Sequence, residues 1–302
     1  MKIHCTPDLS IVIATSGREK CIVRTIDGLR AQNIRDRLEI IIVVSTVESG
    51  ALNGIDMGCF CRVKVIEVKP MTPRSEARAC GLMNASALVV AFIEDHAYPD
   101  VGWAEAVLHA HTACRAAVGY QILNANPESS ISWANLFLLY GPWVERVTPI
   151  GHEMLPSENI SYKREVLMQY GEGLCTFFEN DYTLHHDLLK KGFLLHFEPT
   201  ARLYHRNVDS LPASASYNLL NGRIFATARS CGWSIYRRLA YAGGFFLIPF
   251  VRAPRIFSDV SRTGRNELIP RIIPALMIGL VMGALGEMAG YLFRNGDKEQ
   301  LT

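Results

Sequence analysis

The chain has 302 residues, of which 49% are hydrophobic and 20% are charged, and its formal net charge is +2 at pH 7. This length is sufficient for one large hydrophobic core or two smaller ones. The near-neutral charge does not indicate the basic surface on which nucleic-acid-binding proteins depend, so we expect no nucleic acid among the partners.

Strand-like and helix-like segments alternate through the first third of the chain. Apolar runs that start near residues 9, 39 and 63 predict three strands. Between the first two runs, Ile22 and Ile26 recur at the spacing of one helix face. Because strand, helix and strand follow one another in this way, the sequence predicts an α/β fold with a mostly parallel sheet flanked by helices.

The most informative segment is 88–96, where an apolar run ends in Glu94, Asp95 and His96. A continuous apolar run of this length predicts a strand that is buried on both faces. The carboxyl ends of such strands are where open α/β sheets bind ligands. Glu94 and His96 offer an oxygen and an imidazole nitrogen, which suit Mn²⁺ or Mg²⁺ carrying a phosphate. Taken alone, the same residues fit an acidic surface turn equally well.

Further motifs lie on both sides of this segment. A helix predicted at 73–85 contains an Ala-Arg-x-x-Gly pattern that begins at Ala77. Farther along the chain come, in order, Glu179-Asn180-Asp181-Tyr182-Thr183-Leu184, Lys191-Gly192, Pro199-Thr200-Ala201 and Tyr204-His205. Together these motifs resemble the family 2 glycosyltransferases of the GT-A fold over residues 9–206. The resemblance implies an inverting transfer of sugar from a nucleotide-diphospho-sugar to an acceptor hydroxyl.

The resemblance also implies roles for individual residues. Asp181 is the implied catalytic base, because Asp181 and Leu184 keep the spacing of the family's acidic motif. The implied donor-binding residues are Thr15, Arg18, Ser45, Arg74, Arg78, Asp95, Asn159 and Glu179. For Arg18 and Arg74, a solvated surface role is an equal alternative. For Asn159, the alternative is that its segment only starts a helix, with Ser161 as the N-cap.

The chain departs from the family pattern at three places. Ser45 stands where the family usually has Asp, and Asn180 replaces an acid, with Glu179 one place earlier. The metal motif has Glu and His in place of two aspartates. A similar Asp-x-His form with a later His occurs in the mucin-type polypeptide N-acetylgalactosaminyltransferases. This likeness implies a divalent cation, Mn²⁺ or Mg²⁺, with the ligands Glu94, His96 and His205.

Two features of the sequence bear on the cellular compartment. The eight cysteines are scattered and form no Cys-x-x-Cys pair, so we expect reduced thiols in the cytosol. The N-terminus lacks the charged-then-apolar layout of a signal peptide. We therefore expect the catalytic domain to face the cytoplasm, on the cytoplasmic membrane.

The chain changes character after residue 210, which predicts a GT-A domain at 1–210 and a helical membrane-associated region at 211–302. The apolar segment 239–251 reaches only ~20 Å as a helix, short of a ~30 Å bilayer core. The segment 272–293 is long enough to span, and its one charge is Glu287.

The linker between these two apolar segments is rich in arginine. Its arginines are Arg252, Arg255, Arg262, Arg265 and Arg271. If both segments crossed the membrane, this linker would face outward, against the positive-inside rule. We therefore expect 239–251 to lie in the cytoplasmic interface, while 272–293 spans once or lies alongside it. The alternative is a helical subdomain packed on the soluble core.

Members of the resembling family often carry such a basic and hydrophobic extension, which implies an acceptor that is lipid-linked or belongs to a cell-envelope glycan. The expected partners are thus a nucleotide-sugar donor, that acceptor and membrane lipids. Since Ser45 and Asn180 replace acids, a catalytically inactive, membrane-attached nucleotide-sugar-binding protein remains the alternative. A nucleotidyltransferase would need a Gly-rich, basic first loop that residues 14–20 do not supply.

Overall fold

The computed structural model describes residues 6–15, 19–47, 49–52, 54–148 and 155–293. The strands within these ranges are β1 (Leu9–Thr15), β2 (Leu38–Ser45), β3 (Arg62–Val68), β4 (Val89–Phe92), β5 (Ala97–Pro99), β6 (Arg115–Asn124), β7 (Ile160–Lys163) and β8 (Leu194–His205). The helices are α1 (Glu19–Arg30), α2 (Arg74–Asn84), α3 (Trp103–Ala110), α4 (Ser130–Tyr140), α5 (Arg164–Met168), α6 (Leu174–Phe178), α7 (Asp181–Lys190), α8 (Leu211–Arg229), α9 (Ile235–Gly243), α10 (Ile248–Arg262) and α11 (Ile269–Leu292).

The strands form one sheet in the order β3-β2-β1-β4-β7-β6-β8-β5. β2 pairs in parallel with β1 and β3, and β4 pairs in parallel with β1. β7 is antiparallel to both β4 and β6, so the sheet is mixed. The predicted α/β fold is confirmed, and the parallel part of the sheet is the part that the strand-helix-strand pattern indicated.

The parallel strands bring their carboxyl ends to one edge. Val12 of β1 is in register with Phe92 of β4, and Thr15 is in register with Val44 of β2. The apolar run before Glu94 is buried, as a strand covered on both faces requires. Glu94 therefore follows its strand at the edge where β1 and β2 also end.

Gly81 allows α2 to pack directly on β1. A Cβ atom at Gly81 would overlap a methyl group of Val12. Because the helix lies so close to the strand, Arg78 on the same helix is buried next to the sheet. This close approach gives a physical reason for the glycine of the Ala-Arg-x-x-Gly pattern.

The described residues divide into two compact units. The first contains residues up to 121 together with 147–204, and the second contains 122–146 together with 205–293. The first unit carries most of the sheet, and the second is built mainly from α4 and α8–α11.

Within the second unit, α8 and α11 pack through backbone contacts. A Cβ at Gly286 of α11 would overlap the carbonyl oxygen of Leu219, and one at Gly222 of α8 would overlap that of Gly283. Such close packing needs glycine, since any larger side chain would separate the two helices. The contact holds α11 against α8 along much of its length.

Two expectations from the sequence need correction. The arginine-rich stretch predicted as a linker is largely the helix α10, because Ile256 and Val260 recur at helical spacing and are buried. Cys61 is disulfide-bonded, so the expectation of eight reduced thiols is wrong at this residue. The cysteines found as free thiols among the described residues are Cys59, Cys80, Cys114, Cys175 and Cys231.

Candidate active site

The residues that follow β4 are tied to β1 and α1 by hydrogen bonds. Thr15 Oγ1, at the end of β1, donates to Asp95 Oδ2 at 2.7 Å. Thr25 Oγ1 of α1 donates to the main-chain oxygen of Asp95, also at 2.7 Å. Both bonds are sheltered from water, because Asp95 is buried. They fix the loop that carries Glu94 and His96.

Asp95 also orients the ring of His96. Its Oδ1 lies 2.8 Å from His96 Nδ1, and His96 Nε2 lies 3.7 Å from Glu94 Oε1. We assign the Nδ1 proton to the bond with Asp95, which places the lone pair on Nε2, toward Glu94. Metal-binding histidines are commonly held by a carboxylate in this way. Glu94 and His96 thus fit a divalent cation.

The electrostatics of this loop favour positive charge. Burial by itself raises the pKa of Asp95, but hydrogen bonds from His96 and Thr15 outweigh it and lower this pKa. Burial lowers the pKa of His96, but the carboxylates of Glu94 and Asp95 raise it above its usual value. A field that stabilises an imidazolium also stabilises a bound cation.

Asn159 braces Glu94 through two hydrogen bonds. Asn159 Nδ2 donates to Glu94 Oε2 at 2.7 Å, and the main-chain N–H of Glu94 donates to Asn159 Oδ1 at 3.0 Å. Asn159 is fully buried at the start of β7. The residue expected to line the donor pocket therefore lies at the site and holds its carboxylate in place.

Arg74 links two carboxylates at the site. Its Nη1 donates to Glu94 Oε1 at 3.1 Å and also contacts Glu158 Oε2. Burial raises the pKa of Glu158 to about 7, with the Glu94 carboxyl adding to the rise and Arg74 opposing it. Glu158 has a φ of 66°, which is unusual for a residue with a side chain. Glu158 was not predicted, because its backbone conformation and its partner 84 residues away leave no local pattern in the sequence.

Asp181, the predicted base, is the first residue of α7. Asn180 caps this helix by accepting a hydrogen bond from Tyr182 N at 3.1 Å. Asparagine caps a helix as well as aspartate does, so the helix start is kept although the family's acid is absent. The main-chain N–H of Glu158 donates to Asp181 Oδ2 at 2.6 Å.

A buried arginine, Arg78, also binds the carboxylate of Asp181. Arg78 Nη1 lies 3.1 and 3.2 Å from the two carboxylate oxygens of Asp181. Its guanidinium also lies over the rings of Phe92 and Phe178, at 4.8 and 4.4 Å from their centroids. Asp181 is only 2% exposed, so the pair is desolvated. An ionised carboxylate in such a place needs this partner.

A small, partly open pocket lies beside these groups. It is lined by Val12, Ala14, Arg74, Arg78, Phe92, Ile93, Glu94 and Glu158. Nε and Nη2 of Arg78 are buried without a hydrogen-bond partner among the described residues. Unpaired donors of a buried cation next to a pocket are suited to receive an anionic or hydroxyl-bearing ligand.

His205, the third predicted ligand, is the last residue of β8 and belongs to the second unit. It is buried, and its Nδ1 lies 2.9 Å from Asn207 Oδ1. We assign the proton to Nδ1, since the asparagine oxygen can only accept. The ligating lone pair is then on Nε2, as in His96.

The remaining predicted donor-binding residues are less closely tied to the loop after β4. Ser45 ends β2, and its Oγ is buried without a hydrogen-bond partner in the described part of the chain. Glu179 is exposed just after α6. Arg18 lies outside the described residues.

Comparison with known proteins agrees with this arrangement. The family model for glycosyl transferase family 2 matches residues 10–171, which is more than half of the chain. No curated protein sequence matches this chain.

Two solved structures are similar to this chain to different degrees. The mannosyltransferase PcManGT from Pyrobaculum calidifontis, in complex with GDP-Man and Mn²⁺, is 13% identical and superposes with a TM-score of 0.58, over 95% of this chain and 87% of that one. GalNAc-T7 with UDP, GalNAc and Mn²⁺ is 14% identical with a TM-score of 0.49, over 76% of this chain and 52% of that one.

Proposed function

Because this chain belongs to glycosyl transferase family 2, we propose that it moves one sugar from a nucleotide-diphospho-sugar to an acceptor hydroxyl with inversion at the anomeric carbon. It is a glycosyltransferase of the GT-A fold. The observation that carries the proposal is the connected group of Thr15, Asp95, His96 and Glu94 at the carboxyl end of the sheet.

A divalent cation is the cofactor of this proposal. Its proposed ligands are Glu94 and His96, with His205 added because the family resemblance implies it, and PcManGT was solved with both GDP-Man and Mn²⁺. When bound, the ion supplies positive charge that stabilises the departing nucleoside diphosphate. Asp95 and Asn207 orient the two imidazoles, and Asn159 keeps the Glu94 carboxylate in position.

Asp181 is the proposed general base. Arg78 and the N–H of Glu158 hold its carboxylate in position through hydrogen bonds. In this role Asp181 takes the proton of the acceptor hydroxyl as that oxygen attacks the anomeric carbon from the face opposite the leaving group. A single displacement of this kind inverts the configuration.

The donor is assigned to groups of the first unit. Arg74 and Arg78 line the pocket, so we assign the diphosphate to Arg74 and the sugar hydroxyls to the unpaired donors of Arg78. Arg18 is assigned to the diphosphate on the family resemblance alone. Ser45 Oγ is a hydrogen-bonding group for the nucleoside, since its place at the end of β2 corresponds to the family's Asp. The further donor-binding residues in this proposal are Thr15, Asp95, Asn159 and Glu179.

The acceptor in this proposal is a cell-envelope glycan or glycolipid at the cytoplasmic face of the membrane. The apolar and arginine-rich helices of the second unit support it, because they suit an enzyme whose acceptor is attached to lipid. The lipid-linked acceptor and the cytoplasmic side of the membrane are thus further parts of the proposal.

A donor panel tests the function. Purified full-length protein is incubated with UDP- and GDP-linked sugars, with Mn²⁺ or with a chelator, and release of nucleoside diphosphate is measured. We expect release from one class of donor, with Mn²⁺ only. Release from no donor in a crude envelope extract that supplies acceptors would contradict the proposal.

A further inference from the structure

The apolar segment 239–251 contains the end of α9, a short turn and the start of α10. We call this exposed segment the apolar apex. α9 ends at Gly243, Phe245–Leu247 form a short 3₁₀ turn, and α10 begins at Ile248. Phe250 is 75% exposed and Phe246 57% exposed. The other exposed large apolar residues of the apex are Leu239, Tyr241, Leu247 and Val251. A contiguous apolar stretch of this kind on a surface marks a site that binds a partner.

Arginines lie on both sides of the apolar apex. Arg237 precedes it on α9 and Arg255 follows it on α10, and both are exposed. The Arg237 guanidinium lies 3.9 Å from the ring centroid of Trp233. Aromatic and arginine side chains next to exposed apolar residues are typical of the boundary between lipid headgroups and acyl chains. The charge therefore suits an anionic membrane surface.

By length and composition, the helical stretch Asn266–Leu292 could cross a membrane, and 39% of its most apolar window is buried within the protein. Its packing indicates another role. The glycine face of α11 lies on α8, where a Cβ at Gly290 would be 2.5 Å from the oxygen of Arg223. Glu287 of α11 pairs with Arg252 of α10 at 2.7 Å.

These contacts make α11 part of a folded helical unit. If α11 crossed the bilayer, α8 would have to accompany it and carry Arg223 and Asn218 into the hydrocarbon core. Charged residues at that depth are costly. The packing on α8 therefore favours a helix that stays on one side of the membrane.

We infer that the second unit is monotopic: the apolar apex enters one leaflet of an anionic membrane, Arg237 and Arg255 contact its headgroups, and α11 does not cross. This inference deepens the membrane placement of the proposed function, on which it rests for the cytoplasmic side. A second copy of the chain fits this surface less well. A two-fold pairing of identical apexes would bring their bordering arginines together.

Vesicle sedimentation with the full-length protein tests the inference. The variant Phe246→Asp/Phe250→Asp, which adds two negative charges, is compared with Leu88→Asp, which adds one at an 86% exposed leucine of the first unit. We expect the wild type and Leu88→Asp to bind vesicles of phosphatidylcholine with phosphatidylglycerol. The double variant should bind at least about tenfold more weakly.

A second pair of measurements tests the charges and the topology. Arg237→Gln/Arg255→Gln should weaken binding to anionic vesicles about tenfold and leave binding to pure phosphatidylcholine unchanged. Phe293→Cys, at the end of α11, should react with a membrane-impermeant maleimide only after cells are opened. Labelling of Phe293→Cys in intact cells would show that α11 crosses and overturn the inference.

Two other results would also overturn it. One is equal vesicle binding by the wild type and by Phe246→Asp/Phe250→Asp. The other is a wild-type dimer that the same variant dissociates, without vesicle binding by either protein. Release of nucleoside diphosphate in detergent is measured on the same samples, so that loss of transfer and loss of membrane binding are told apart.

Discussion

In the first unit, a group of charged residues beside a pocket is buried and paired, whereas many charged residues of the second unit are exposed. Arg78 and Asp181 show the first pattern, with the carboxylate held by the guanidinium and by a main-chain N–H. Arg237 and Phe250 show the second, since both are exposed, Arg237 just before the apolar apex and Phe250 within it. This difference is the one that the two proposals require, with chemistry assigned to the first unit and membrane binding to the second.

The largest expected effect on transfer is at Asp181 in the first unit. Asp181→Asn keeps the shape of the side chain but removes the base, so we expect transfer to fall by about 10²–10⁴-fold. Nucleotide binding should stay within a few-fold of wild type. The matched control is Asp187→Asn on the same helix, where Asp187 pairs with Lys191. Transfer by Asp181→Asn above about a tenth of the wild-type rate would remove this residue from the role of base.

A buried histidine tests how tightly the first unit is packed around the site. Burial lowers the pKa of His185 to about 4, and its Nε2 lies 2.9 Å from the hydroxyl of Tyr162. Because the unfolded chain takes up this proton near pH 6.5, the stabilising effect is complete above that pH and is lost as pH falls toward 4. The loss at the acid end amounts to about 3 kcal/mol.

This pH dependence is measured by denaturant unfolding between pH 7 and pH 4. His185→Gln retains a hydrogen-bonding group for Tyr162 without the titration, so its free energy of unfolding should fall less with acid. His109→Gln, at an exposed histidine, serves as the control. An identical pH profile for His185→Gln and wild type would contradict the buried, neutral state of His185.

The next largest effects are expected at the proposed metal ligands His96 and His205. His96→Ala should weaken Mn²⁺-dependent nucleotide binding about 10–100-fold, because it removes an oriented imidazole. His205→Ala should weaken it less. His109→Ala provides the control. Isothermal titration with nucleoside diphosphate and Mn²⁺ measures the effect, and unchanged affinity in His96→Ala would show that the donor phosphates are held by arginines.

The smallest expected effect concerns packing in the second unit. Gly286→Ala introduces a methyl group against the oxygen of Leu219, so we expect about 1–3 kcal/mol of destabilisation. Gly243→Ala is the matched control, because a Cβ there meets no atom within 4 Å. Thermal unfolding followed by circular dichroism measures both. Equal melting temperatures for the two variants would show that α8 and α11 are not in backbone contact.

The sequence predicted the parallel strands, and the edge of the sheet where Glu94 lies, for a physical reason. Buried parallel strands are continuous apolar runs, and residues that follow them lie at a common edge. Thr15 and Glu94 could therefore be placed near one another from the pattern alone. Glu94 and His96 could be predicted as metal ligands because carboxylate oxygens and imidazole nitrogens bind divalent cations.

Other features depended on contacts that a sequence does not display. Arg78 was assigned to the donor, but in the structure its Nη1 bonds to Asp181, a residue 103 positions away. Glu158 was missed, because its role arises from an unusual backbone conformation and a distant arginine. The region of α10 was predicted as a linker because it is rich in arginine. Ile256 and Val260, at helical spacing, form the buried face of the helix found there.

The most direct test of the account is the binding of UDP and GDP to the wild-type protein, with Mn²⁺ and with a chelator. The geometry around Glu94 and His96 predicts that one nucleotide binds at least about tenfold more tightly with Mn²⁺. It also predicts that the chelator abolishes the difference. Equal affinity under both conditions would contradict the assignment of this site to metal-assisted glycosyl transfer.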